Sequence, residues 1–127
     1  MRRQLLLPLA AAILTTGCLA AAAAGAAGGI YLTSRGAESV VEGSVADVAG
    51  RAKAVMGEMG IVPEGESTED QGDKQVLKGK QGDLDVTIDI NRESPTTAKV
   101  EVTARKNLAE WDKDYAKQVL GRIVEKG

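Results

Sequence analysis

The hydrophobic residues of this chain follow different patterns in different segments. The first thirty residues are almost uniformly apolar, whereas from residue 35 onward apolar and polar positions alternate. The segment 84–90, LDVTIDI, has an apolar residue at every second position, and 98–106, AKVEVTARK, repeats that alternation. Period-two alternation is typical of a strand with one buried face. Both segments are therefore predicted to be strands of a sheet that is covered on one side.

These two strands are predicted to form a hairpin around Ser94, because Ser-Pro-Thr is a turn sequence. The apolar positions of both strands are even-numbered, so directly paired residue numbers must sum to an even value. The sums 188 and 190 both suit the loop length. The first pairs Asp89 with Lys99, and the second sets Asp89 against Glu101. Because opposite charges attract across strands, we predict the sum 188, with residues 93–95 as the loop.

Two segments have the apolar spacing of amphipathic helices. The first begins at Ser44, with Asp47 three residues later in capping-box spacing, and ends at Gly60. The second is predicted to begin at Asn107, with Glu110 completing an N-cap signature. Its apolar side comprises Leu108, Trp111, Tyr115, Ala116, Val119, Leu120 and Ile123. Each helix is therefore expected to cover a sheet.

The remaining pattern predicts further strands. A short strand is expected around Val40 and Val41. The acidic segment 61–73, IVPEGESTEDQGD, could offer carboxylates to calcium, but it lacks the order of ligands of an EF-hand. We interpret it as a solvated β-hairpin with its turn at 70–73. The predicted fold is α+β, with two layers: an antiparallel sheet of four to five strands and two helices packed on one face.

The predicted core draws on both helices and on the central strands. Its expected members include Val48, Val55, Val86, Ile88, Val100, Val102, Trp111 and Leu120. Trp111 and Tyr115 could alternatively form a ligand platform or touch lipid headgroups. The chain has no phenylalanine, so its core needs bulk from these aromatic residues. We therefore place them in the core.

The apolar amino terminus has the organisation of an export signal. Arg2 and Arg3 precede an apolar run at 5–15. The run leads into LTTGC at 14–18, which resembles a lipobox, the recognition sequence of bacterial lipoprotein signal peptides. The resemblance implies cleavage between Gly17 and Cys18, and lipidation of the Cys18 thiol. Two alternatives are an uncleaved membrane helix and an ordinary signal peptide in which the cysteine has no role.

The lipobox sets the predicted domain organisation. Residues 1–17 would be the lipoprotein signal peptide, 18–34 the lipidated cysteine with an Ala/Gly-rich tether, and 35–127 a single α+β domain. The protein would be held by its lipid on the periplasmic face of a membrane. Leu19 follows the cysteine. In the Gram-negative lipoproteins that this segment resembles, a residue other than aspartate there implies the outer membrane more than the inner one.

Composition excludes several kinds of site. The chain has no histidine, the commonest general base and transition-metal ligand. Its single cysteine permits neither an intrachain disulfide nor a cysteine-based zinc site. Ser39 and Ser44 lack a histidine partner, and Asp83, Asp85 and Asp89 are explained by cross-strand charge pairing. We therefore predict no catalytic residue, cofactor or metal. The net charge of −2 argues against a nucleic-acid partner.

Taken in order, the elements resemble the small bacterial lipoproteins of domain-of-unknown-function family 3568. The resemblance rests on LTTGC, the Ala/Gly-rich start, VADVAGRAKAVMGEMGI, DLDVTIDI and TTAKVEVTARK. It implies a location and a shape, but no activity. The expected function is a structural or accessory envelope protein that acts through protein contacts and is not an enzyme. The alternative is a small-ligand or lipid-binding module that uses a cleft between helices and sheet.

Overall fold

The alternating segments form one antiparallel sheet, and both helices pack on the same face of it. The computed structural model describes residues 29–127. The elements are β1 Tyr31–Leu32, β2 Gly36–Glu42, α1 Val45–Glu58, β3 Val62–Glu69, a 3₁₀ turn Asp70–Gly72, β4 Lys74–Gln81, β5 Leu84–Ser94, β6 Thr97–Arg105 and α2 Lys113–Glu125. The strand order is β1-β2-β6-β5-β4-β3. The predicted α+β class is confirmed, with six strands instead of four to five.

The additional strand is β1, which lies in the segment 18–34 that we predicted to be a tether. Tyr31 pairs with Glu38 of β2. The buried Ser39 donates its hydroxyl to the carbonyl of Gly29 over 2.8 Å, and Ile30 packs against the core. The folded part of the chain therefore begins before residue 35.

Helix α1 has the predicted ends. The Ser44 hydroxyl accepts a hydrogen bond from the Asp47 N–H over 3.1 Å and satisfies one of the free donors of the first turn. Met59 closes the helix, and Gly60 then turns the chain with a φ of +71°. Glycine adopts this left-handed conformation without steric cost, which is why it follows helices so often. Local sequence signals were sufficient to define this element.

The core lies between the two helices and the inner face of the sheet. Seven of the predicted core residues are buried in it: Val48, Val55, Val86, Ile88, Val100, Val102 and Leu120. Trp111 is half-buried and does not belong to the core. The core is filled by aliphatic side chains instead of the indole ring, among them Ile61, Ile90, Val119 and Ile123.

The hairpin of β5 and β6 buries the predicted face, but its strands do not pair in the predicted register. Ile90 pairs with Val100 and Asp89 with Glu101, which is the sum 190. β5 continues to Ser94, with an irregularity after Arg92 that shortens the connection. The Ser94 and Thr97 hydroxyls then hydrogen-bond over 2.6 Å across the turn.

The bulge and this turn explain why the register prediction was wrong. Setting like charges opposite each other in a sheet costs only about 0.2–1 kcal/mol per pair. The local geometry of a hairpin turn selects the register more strongly than such a pair does.

The second helix begins later than predicted. Asn107 does not cap it. Instead, the Asn107 side-chain oxygen accepts from the N–H groups of Ala109 and Glu110, over 2.9 and 3.1 Å, and closes a turn. Asp112 is the true N-cap and accepts from the Tyr115 N–H over 2.9 Å. Asparagine competes for backbone donors in turns as readily as at helix starts. The predicted helical residue Leu108 is 90% exposed.

Candidate functional site

The sheet has one face that no helix of the described part covers, and a groove runs across its centre. Its volume is about 390 Å³. The groove is lined by Arg35, Val76, Lys78, Thr87, Asp89, Glu101, Thr103 and Trp111. Strand alternation explains this composition, because the polar residues of β4, β5 and β6 point away from the core. The lining therefore combines both signs of charge with hydroxyl groups and one aromatic ring.

Trp111 lies on this open face because the chain between β6 and α2 folds back on the end of β6. Trp111 forms an isolated antiparallel bridge with Arg105, and the Asp112 N–H donates to the Ala104 carbonyl over 2.7 Å. The guanidinium groups of Arg35 and Arg105 lie 5.3 and 5.7 Å from the centroid of the indole ring. At these distances the cations are attracted by the ring quadrupole.

This placement corrects the prediction that Trp111 is a core residue on the second helix. Trp111 precedes the helix, so it is not a neighbour of Tyr115 on one helical face. Tyr115 is half-buried against the core, and its hydroxyl is inaccessible to solvent and has no hydrogen-bond partner among residues 29–127. Burial, and secondarily the charge of Asp112, raise the pKa of Tyr115 above its ordinary value. The tyrosine therefore belongs to the core side and the tryptophan to the open face.

Three carboxylates lie side by side across the middle of the open face. Glu38 of β2 pairs with Glu101 of β6, which pairs in turn with Asp89 of β5. Asp89 is partly compensated by Lys74, at 3.9 Å, and by the amide of Asn91, at 3.0 Å. No group of residues among 29–127 has the arrangement of a metal site.

The predicted cross-strand explanation holds for Asp85, but not for all three aspartates. Asp85 pairs with Arg105 and makes an ion pair with Lys80 at 3.3 Å. Asp89 stands opposite Glu101, and Asp83 lies in the turn between β4 and β5. The aspartates thus have different neighbours and do not form a set.

The acidic segment 61–73 forms the predicted hairpin. β3 pairs with β4, and the chain turns through Asp70 and Gln71, which have positive φ values of 51° and 56°. All eight residues of β3 are exposed. The acidic side chains are consequently spread along an edge strand.

A second cavity lies on the other side of the sheet, where β3 extends past the helices. Its volume is about 330 Å³. It is lined by Lys53, Met56, Pro63, Gly65, Glu66, Leu77 and Lys78. This cavity is the cleft between helix and sheet that a ligand-binding module would use, and its size falls within the usual range of small-molecule sites.

The two serines considered as nucleophiles have structural partners. Ser39 donates to the Gly29 carbonyl, and Ser44 caps α1. Gly17 and Cys18, at the predicted cleavage and lipidation site, lie outside the described residues. Within 29–127, no helix is long and apolar enough to cross a membrane.

Comparison of the chain with protein-family models, with curated proteins and with solved structures finds no match. The resemblance to family 3568 therefore stays a prediction.

Sequence reasoning missed the groove because its lining residues come from distant segments. Arg35 precedes β2, Thr103 lies in β6, and Trp111 follows a turn. One local signal did point to it. Asp112 is also an N-cap residue type, and choosing it over Asn107 would have placed Trp111 outside the helix.

Proposed function

We propose that this chain is a lipid-anchored protein of the bacterial cell envelope that acts by binding a protein partner. The anchor would be the lipid on Cys18 after removal of residues 1–17. Support for the anchor comes from the cationic start, the apolar run and the sequence LTTGC. Two or more acyl chains hold a protein stably on a membrane, whereas one does not. The domain would then face the periplasm, on the outer membrane rather than the inner one.

The binding role rests mainly on one observation: Trp111 lies in the groove on the open sheet face, between charged side chains. Arg35 and Arg105 contact the indole ring, and neither makes an ion pair with any residue in the described range. Tryptophan and arginine are the residues most enriched at the energetic centres of protein interfaces. The neighbouring carboxylates favour a partner surface that also carries both signs of charge.

Binding is favoured over catalysis by the chemistry of the available side chains. The chain has no histidine, and its two candidate serines are engaged in holding β1 and α1. Catalytic nucleophiles need a base within hydrogen-bond reach. The domain is therefore proposed to be an accessory or structural component.

The anchor is tested by mass spectrometry of the protein extracted from membranes. We expect an acylated amino-terminal peptide that begins at Cys18. A peptide retaining the Met1 or Arg2 terminus would contradict the lipoprotein assignment and favour an uncleaved anchor. Cys18→Ala should abolish the acylation and the membrane association together.

The binding face is tested by placing a photo-cross-linking amino acid at Thr103 in the groove, and at Lys117 of α2 as a control. Lys117 is exposed on the helical layer. We expect one protein to be cross-linked from Thr103 and not from Lys117, and Trp111→Ala to remove that product without unfolding the domain. Equal capture from both positions, or capture insensitive to Trp111→Ala, would contradict the proposal.

A further inference from the structure

The end of the domain where β6 leads into α2 presents apolar side chains to solvent. Within residues 29–127, four large hydrophobic side chains are exposed: Tyr31, Leu32, Val62 and Leu108. Val62 lies apart from the others on the opposite edge strand, β3. Leu32 lines a shallow depression together with Lys106 and Trp111. Leu108 belongs to the turn 106–110, which starts at that depression.

The turn 106–110 holds Leu108 in its exposed position. The Lys106 N–H donates to the Glu110 carbonyl over 2.9 Å, and the Asn107 side chain accepts from two N–H groups of the same turn. Leu108 is thus presented by an ordered turn and is not covered by any part of 29–127. A side chain that is already positioned loses less conformational entropy when it binds. Leu108 therefore suits contact with an apolar surface outside the domain.

The surroundings of these apolar side chains limit how deeply they could enter such a surface. Lys106 and Lys113 are exposed and make no ion pair within the described range. Asp112 and Asp114 also line the depression, so the surface carries both signs of charge. Charged groups are costly in the hydrocarbon of a bilayer, whereas tryptophan, lysine and arginine are common at the level of the headgroups. The combination with Trp111 is typical of residues at a membrane–water interface.

The course of the chain brings this surface within reach of a membrane. Gly29, where the described part begins, follows Cys18 by eleven residues and precedes Leu32 by three. Eleven residues span at most about 40 Å. A domain anchored at Cys18 is therefore confined to a thin layer beside the bilayer. Such confinement raises the effective concentration of the two surfaces, so that a small contact is sufficient for docking.

We propose that Leu32 and Leu108 dock the domain on the surface of the membrane that holds its amino terminus. Both leucines enter the headgroup layer, while Lys106 and Lys113 stay among the lipid phosphates. Trp111 lies at the boundary between this surface and the groove on the open face, because it lines both. The proposal rests on the membrane anchor proposed above, but not on the protein partner.

The only tryptophan of the chain, Trp111, provides the readout. The full chain is purified from membranes and reconstituted into phosphatidylcholine vesicles. Its fluorescence is compared between lipids brominated close to the headgroup and lipids brominated deep in the acyl chains, because bromine quenches tryptophan only at short range. We expect clear quenching, stronger from the shallow bromines than from the deep ones.

The anchor is measured separately, by flotation with the vesicles and by the mass of the amino-terminal peptide. A chain that floats while Trp111 stays unquenched would overturn the docking and leave the anchor standing. A peptide that retains Met1 would contradict the lipid on Cys18, and quenching of Trp111 would still decide the docking.

A matched set of serine variants locates the contact. Burial of a leucine side chain shifts an equilibrium about tenfold or more, so Leu108→Ser should lower the ratio of docked to undocked protein by about tenfold. Leu32→Ser should act in the same direction. Val62→Ser is the control, because Val62 is 63% exposed and Leu32 is 59% exposed, but they lie on opposite edges of the sheet. Its quenching should equal that of the unmodified chain. Equal quenching of the Leu108→Ser and Val62→Ser variants would overturn the assignment of the docking surface.

Discussion

Val100 provides the sharpest test of which face of the sheet is buried. It is completely inaccessible and lies in β6 between Ile90 of β5 and Ser39 of β2, both buried. Its neighbour Lys99 points to the open face and makes no ion pair within the described residues. Val100→Ala and Lys99→Ala therefore alter adjacent positions of one strand with opposite environments.

The expected cost of Val100→Ala follows from its burial. Removing two methyl groups from a packed core loses about 0.8 kcal/mol of transfer free energy for each, and the cavity adds to this. We expect a loss of about 2–3 kcal/mol in the free energy of unfolding. Val100→Asp should cost more than about 4 kcal/mol, because it buries a carboxyl group without a partner. A domain of about 100 residues has only about 5–15 kcal/mol in total.

Urea denaturation followed by circular dichroism measures these differences. With a urea dependence of about 1–3 kcal/mol per molar, Val100→Ala should lower the midpoint by about 1–2 M. Lys99→Ala should change the free energy of unfolding by less than about 0.5 kcal/mol. Equal midpoints for Val100→Ala and Lys99→Ala would refute the assignment of faces.

Two further predictions concern backbone space and a buried hydroxyl. Gly36→Ala should destabilise the domain by about 3 kcal/mol or more, the upper end of the usual cost of overpacking. The reason is that the new Cβ would overlap the Val102 carbonyl oxygen. Gly50→Ala, with no contact to its Cβ, should stabilise α1 by up to about 1 kcal/mol in the same urea assay. The raised pKa of Tyr115, caused by burial and then by Asp112, means that folding favours the neutral phenol. Stability should therefore fall as pH rises above 10, and Tyr115→Phe should show a smaller fall in parallel urea titrations.

The parts of the fold that were predictable from sequence are those set by local signals. The start of α1 is marked by Ser44 and its end by Gly60, and each signal can be read from the residues next to it in the sequence. The alternation in β5 and β6 identified the buried face because a period of two allows only two choices. These features required no knowledge of distant contacts.

The parts that were not predictable depend on contacts between segments. β1 has two residues, too few to show any alternation, and its pairing with β2 defines it. Asn107 and Asp112 are both capping residue types, and the bridge between Trp111 and Arg105 decides between them. The groove on the open face follows from that bridge. Its position could therefore be found only after the end of β6 and the start of α2 were placed together.

The register of β5 and β6 leaves a cluster of like charges that a single substitution should relieve. Glu101 lies between Glu38 and Asp89 on the open face, and it makes no ion pair with any residue from 29 to 127. Such a cross-strand pair changes stability by about 0.2–1 kcal/mol. Because Glu101→Lys replaces two repulsive pairs with attractive ones, we expect it to raise the free energy of unfolding by about 0.5–1 kcal/mol.

Salt distinguishes this electrostatic gain from a change in packing. The screening length falls from about 10 Å at 0.1 M salt to about 3 Å at 1 M, so the gain from Glu101→Lys should shrink as salt is added. Glu64→Lys makes the same change of charge on the exposed edge strand β3, away from this row, and should produce a smaller gain at low salt. If Glu101→Lys destabilised the domain, or if its gain were the same at both salt concentrations, the carboxylate row would not be a source of repulsion. The turn at Ser94 would then have selected the register without any electrostatic cost to overcome.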